Sequence, residues 1–119
     1  MKVLITDDSS LARKLLLKAL PESLTDEVSQ AANGEEALAA YAAGQAELIF
    51  LDLTMPVMDG FLTLEHLHKI EANVVVIVVS ADIQPQARER VMALGAAAFI
   101  KKPISSEAML ATLHAIGVL

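Results

Sequence analysis

Apolar residues in this chain come in short unbroken runs separated by longer amphipathic stretches, and the two kinds alternate from end to end. Lys2 to Thr6 (KVLIT) reads as a strand, Leu48 to Leu51 (LIFL) as a strand buried on both faces, and Val74 to Val79 (VVVIVV) as the clearest buried strand. Asp26 to Ala31 is a weaker strand, placed by the alternation more than by its own residues, and Ala97 to Ile100 is a short fifth. Five helices fit between and after them. Ser9 is a good N-cap for a helix to Leu20, with Leu11, Leu15, Leu16 and Leu20 on one face and Pro21 ending it. Asn33-Gly34 caps a helix from about Glu35 to Ala43, with two acids in its first turn and Gly44 closing it. Asp59 suits the N-cap of a helix carrying Phe61, Leu64, Leu67 and Ile70. Pro85 suits the first turn of the next, which carries Ala87, Val91 and Leu94 and stops at Gly95. The last begins near Ser105, with Met109, Leu110, Leu113 and Ile116 at helical spacing.

Strands alternating with helices predict an α/β fold, a doubly wound five-stranded parallel sheet covered on both faces through right-handed crossovers. With 119 residues and no repeat, low-complexity tract or linker, the expectation is one domain over residues 1–119. Hydrophobic residues make up 55% but aromatics only 3%, so the core is built from Ala, Val, Leu and Ile. The absence of cysteine excludes disulfides, thiolate zinc sites and cysteine nucleophiles. A net charge of −6 argues against sequence-independent binding of nucleic acid. Met1 leads straight into a strand-like segment without a basic n-region or apolar h-region, and no apolar stretch approaches membrane-spanning length. A cytoplasmic protein with no membrane association is expected.

In sheets of this kind functional residues gather outside the carboxyl ends of the strands, where the strand order reverses. Asp7 and Asp8 follow the first strand, Asp52 the third, Ser80 the fourth and Lys102 the fifth. A single strand-terminal Asp is ordinarily a cap or loop anchor. Four such arrivals at one edge form a set. Three carboxylates brought within several ångströms stay ionised only with a cation among them. Oxygen ligands without His or Cys select a hard ion such as Mg²⁺ or Mn²⁺. A divalent ion beside a lysine ammonium and a hydroxyl suits a phosphoryl group, and one carboxylate could attack phosphorus to give an aspartyl-phosphate. Asp52, single and central, is the natural nucleophile, and the adjacent Asp7 and Asp8 look like metal ligands.

These residues carry a resemblance over essentially the whole chain. The acidic pair Asp7-Asp8, the segment Leu51-Asp52-Leu53-Thr54-Met55-Pro56-Val57-Met58-Asp59-Gly60, the pair Ser80-Ala81 and Phe99-Ile100-Lys101-Lys102-Pro103 resemble the receiver domain of two-component response regulators, the CheY-like family. The resemblance implies a flavodoxin-like sheet of order 2-1-3-4-5 and a phosphoacceptor switch rather than a metabolic enzyme. It implies that Asp52 takes a phosphoryl group from a phosphohistidine on a histidine kinase or histidine phosphotransfer protein. Asp8 and Asp52 would ligate Mg²⁺ directly, Thr54 through its backbone carbonyl and Asp7 chiefly through water. Ser80 would bond the phosphoryl oxygen, Lys102 would pair with it, Phe99 would swing inward, and the peptide before Pro103 would be cis. The surface of the fourth helix, fifth strand and fifth helix, including Arg88, Glu89, Met92, Phe99, Lys101 and Met109, would then repack to engage a downstream protein or a second copy. Thr54 and Asp82 stand where side chains tune dephosphorylation in this family. Ser80 replaces the commoner threonine, and Phe99 has no phenolic hydroxyl.

Two other classes compete. A haloacid-dehalogenase phosphatase also uses Asp and Mg²⁺ at strand ends, but wants Asp-x-Asp after its first strand, where this chain has Asp7-Asp8. A receiver-like docking module would not need the full set of Asp7, Asp8, Asp52, Ser80 and Lys102. His66 and His68, two apart on a helix, do not share a face for metal ligation, and His114 reads as helix surface. Met55 and Met58 read as packing residues.

Overall fold

The apolar runs pair as parallel strands: β1 (Lys2–Thr6), β2 (Glu27–Ala31), β3 (Leu48–Leu51), β4 (Val75–Ser80) and β5 (Ala98–Lys101), in the order β2-β1-β3-β4-β5. The computed structural model describes residues 1–81 and 84–119. Helices α1 (Ser10–Ala19), α2 (Gly34–Ala42), α3 (Gly60–Lys69), α4 (Pro85–Ala93) and α5 (Ser106–Ala115) follow the strands in turn. Because side chains alternate faces along a strand, each buried strand feeds two cores. Leu4, Ile49, Leu51, Val76 and Val78 face α2, α3 and α4. Val3, Ile5, Leu48, Phe50, Ile77 and Val79 face α1 and α5, where Leu16, Met109 and Leu113 close over them. The order reverses between β1 and β3, so their carboxyl ends open on one crevice.

Four helix starts are capped as their sequences require. Ser9, Asn33, Asp59 and Ser105 accept from the N–H groups of Ala12, Glu36, Leu62 and Ala108 at 2.8–3.1 Å. Several expectations move. β4 begins and ends one residue later than its valine run, taking in Ser80, and β5 likewise ends on Lys101. A 3-10 turn at Glu22–Leu24, not expected from Pro21, buries Leu24 beneath α1. The apolar face of α1 is narrower than its leucines suggest. Leu16, Ala19 and Leu20 are buried, but Leu11 and Leu15 are 64% and 52% exposed. Leucines at 11, 15, 16, 17 and 20 cover more of the helix than a sheet can, so the pattern alone does not say which stripe turns inward. Ile70 lies at the C-cap of α3 and is exposed, and Met109 is fully buried rather than part of an outer surface.

Two glycines differ in what they do. A Cβ on Gly60 would come within 2.1 Å of the Asp52 carbonyl oxygen, and the Gly60 N–H donates to Leu53 O at 3.0 Å. Gly60 is there for close approach: it closes the loop from Leu53 onto the end of β3. Gly44 instead has φ +76 and open space around it. Gly60→Ala is therefore expected to cost about 3 kcal/mol in urea unfolding, and Gly44→Ala about 1 kcal/mol. Equal costs would refute the close-packing role of Gly60.

Candidate functional site

Strand pairing delivers the acids to one place. The Asp52 N–H donates to Thr6 O and the Asp7 N–H to Ala31 O, each at 3.0 Å, so the ladder continues one residue beyond β1 and β3. Carboxylate oxygens of Asp7, Asp8 and Asp52 lie within 4.8 Å of one another. Asp7 and Asp52 are buried and Asp8 is exposed. From the end of β5 the Lys102 ammonium reaches Asp7 Oδ2 at 2.6 Å and Asp52 Oδ1 at 3.4 Å. The Lys102 N–H donates to Ser80 O at 2.9 Å, and the Lys102–Pro103 peptide is cis. Ser80 ends β4 and is buried, Ala81 follows it at the surface, and Thr54 sits in the exposed loop two residues after Asp52. Phe99 is half-buried on β5 opposite Val78, on the face covered by α2, α3 and α4. Asp82 falls outside the described residues.

The adjacent acids are held very differently. Asp7 is engaged at every polar group: Oδ1 accepts from the Ser9 N–H at 2.9 Å, Oδ2 pairs with Lys102, and its carbonyl accepts from Arg13 Nη1 at 2.6 Å. Arg13 in turn donates from Nε to Gln30 Oε1 at 2.8 Å. Asp8 has no polar side-chain partner among the described residues, and it is the carboxylate left free to meet a ligand from solvent. Sequence reasoning named Asp7 and Asp8 as a pair but missed Arg13 and the second role of Ser9. Arg13 sits six positions from Asp7 with no distinctive motif around it, so only the packing of α1 over β1 reveals the contact. His66, His68 and His114 are exposed, and among the described residues Asp7, Asp8 and Asp52 form the metal-capable group.

Burial foremost, then the Asp7 charge, pushes the Asp52 carboxyl above the ordinary carboxylate pKa, against the pull of Lys102 and the Leu53 backbone N–H. Burial pulls the Lys102 ammonium down, but its hydrogen bond to Asp7 and the charges of Asp52 and Asp7 outweigh it, so its pKa is raised. One ammonium against three carboxylates leaves surplus negative charge on an all-oxygen donor set. That set fits a hard divalent cation and lacks the nitrogen or sulfur ligands of a zinc site.

The raised pKa has a stability consequence. A carboxyl that holds its proton more tightly when folded contributes stability present below its unfolded pKa and lost as pH rises through the folded one. Ionised Asp52 thus opposes folding of the metal-free protein at neutral pH. Asp52→Asn is expected to stabilise that form by on the order of 1 kcal/mol at pH 7. The gain should disappear below the ordinary pKa of 3.8. Denaturation curves at pH 7 and pH 3 test this, and a variant equally stabilised at both would refute it.

Comparison with known proteins agrees with this geometry. The family model for the response regulator receiver domain matches residues 3–114. The chain is 30% identical to the chemotaxis protein CheY of Bacillus subtilis, covering 95% of this chain and 94% of that one. It is 40% identical over 103 residues to a protein-glutamate methylesterase/protein-glutamine glutaminase of Rhodospirillum rubrum, but spans only 28% of that longer protein. Among solved structures, a chain of the CheX-CheY-BeF3-Mg complex from Borrelia burgdorferi superposes with a TM-score of 0.88 at 32% identity, covering 98% of this chain and 89% of that chain. With the family matched from residue 3 to residue 114 on a sheet of this order, the chain belongs to the response regulator receiver domains, the CheY-like signalling switches of two-component systems.

Proposed function

We propose that the chain is a single receiver domain over residues 1–119, in which Asp52 accepts a phosphoryl group from a phosphohistidine on a histidine kinase or histidine phosphotransfer protein. The observation that carries this reading is a buried Asp52 carboxylate grouped with Asp7 and Asp8 and 3.4 Å from the Lys102 ammonium. An Asp52 oxygen attacks phosphorus and the P–N bond breaks. Its electron pair returns to the imidazole, whose other ring nitrogen carries a proton, leaving an acyl phosphate and a neutral histidine. Lys102 is the fixed positive charge for the transferring group, and the Ser80 hydroxyl bonds its oxygen afterwards. Asp8, Asp52 and the Thr54 carbonyl would hold Mg²⁺ (or Mn²⁺), with Asp7 chiefly through water, and the ion when bound would supply further charge neutralisation at phosphorus.

A protein donor suits the surroundings of the site. The exposed Leu15 opens on a cavity of about 480 Å³ whose lining includes Asp7, Lys102, Pro103 and Ile104, so an apolar landing adjoins the acceptor. On the output side, phosphorylation adds roughly −1.5 to −2 charges at Asp52. Ser80 and Lys102 follow the new oxygens, Phe99 turns inward, and the α4-β5-α5 surface shifts between two states. Exposed Arg88, Glu89, Met92 and Lys101 with half-buried Phe99 make up that face; buried Met109 does not. The face serves a downstream protein or a phosphorylation-dependent dimer, not nucleic acid. Among the described residues no helix is long and apolar enough to cross a membrane; a cytoplasmic location is part of the proposal.

Intact mass after incubation with acetyl phosphate and Mg²⁺ tests the acceptor. One added phosphoryl group is expected in the native protein and none in Asp52→Asn or without metal. Beryllofluoride should shift the NMR signals of Ser80 and Phe99 even if hydrolysis hides the adduct. Neither a mass gain nor a beryllofluoride response would leave a docking module that works without phosphorylation.

A further inference from the structure

We infer that Arg13 is a positioning residue for this site, acting through the peptide that joins Asp7 to Asp8. The inference rests on the metal-binding reading above and adds to it a residue outside the strand-end set. The argument starts from how each acid is held. Asp7 is fixed by its own side chain, between the Ser9 N–H and the Lys102 ammonium. Asp8 is exposed and makes no polar side-chain contact among the described residues, so the protein directs it only through its backbone. A peptide unit is planar, and fixing its carbonyl oxygen fixes the plane from which the next residue's Cβ departs. That carbonyl belongs to Asp7, and it accepts a 2.6 Å hydrogen bond from Arg13 Nη1.

The guanidinium is itself anchored. Its Nε donates to Gln30 Oε1 on β2 at 2.8 Å, so one planar group ties α1, the end of β1 and the edge strand β2 together. Arginine suits this task because its donors are rigidly spaced; a lysine would keep the charge and lose the fork. This separates positioning from electrostatics. A cation beside an acidic pocket opposes metal binding, so removing charge alone would tighten Mg²⁺, whereas misaligning Asp8 would weaken it.

Arg13→Lys and Gln30→Ala both preserve net charge and are the decisive variants. Mg²⁺ titrations followed by NMR or calorimetry are expected to show Kd raised about tenfold in Arg13→Lys, as for other groups that orient a metal ligand, and about threefold in Gln30→Ala. In the metal-free proteins the Asp8 amide signal should shift or broaden in both. Urea unfolding run alongside separates a purely structural role, which would lower the midpoint while leaving Kd and the Asp8 amide where they are. That outcome overturns the inference, as does Kd unchanged in Arg13→Lys but tightened in Arg13→Ala. If Arg13→Lys fails to fold, Gln30→Ala decides by the same criteria. If the native protein does not respond to Mg²⁺, the metal reading fails, and the Asp8 amide still reports whether Arg13 holds that peptide.

Discussion

Everything at this site follows from the mutual repulsion of three carboxylates that the sheet forces together. Left alone, such a group would protonate or push its loops apart. Lys102 offsets part of that repulsion by lying 2.6 Å from Asp7 and 3.4 Å from Asp52, and its own pKa rises because both acids favour its charge. It does not offset all of it, and the Asp52 pKa stays raised, first by burial and then by the Asp7 charge. The arrangement is therefore unsatisfied by design of the fold: it stores an appetite for further positive charge at the residue proposed to receive phosphate.

The protein around the cluster is built to withstand that tension. Ladder hydrogen bonds run one residue past β1 and β3 to the acids themselves, and Gly60 packs its backbone directly against the Asp52 carbonyl. Asp7 is locked by partners on all sides, while its neighbour Asp8 has no polar side-chain partner among the described residues. The pair thus offers one acid held by the protein and one open to a ligand, the difference on which the proposed metal roles rest. They also explain why an arginine outside the cluster matters to the geometry within it. The opposite end of the mechanism is equally economical. β5 carries Phe99 and delivers Lys102, so the site and the proposed output surface share one short strand.

Alternation of apolar runs and amphipathic stretches was enough to read five strands, five helices and a parallel sheet, because buried parallel strands and capped helices each leave a local signature. LIFL and VVVIVV can hardly be anything but central strands, and Ser9, Asn33, Asp59 and Ser105 announce the helices they cap. The weak strand EVSQA at the sheet edge was legible only through its place in the alternation, since an edge strand is not required to be apolar. The strand-end acids, hydroxyl and lysine were legible for a related reason: a polar residue at the carboxyl end of a buried strand has one place to go.

By itself, then, the order of residues determined the class of fold, the edge on which chemistry gathers and the residues that gather there, since each depends on contacts local in sequence or on a period. Tertiary structure alone decided which stripe of α1 faces the sheet, leaving Leu11 and Leu15 in solvent and Leu16 in the core. It also buried Met109, and it set Arg13 Nη1 on the carbonyl of Asp7 and Arg13 Nε on the side chain of Gln30. These outcomes depend on how far one packed element is rotated and shifted against another. Such rotations are chosen by the whole core at once, and no run of neighbouring residues encodes them.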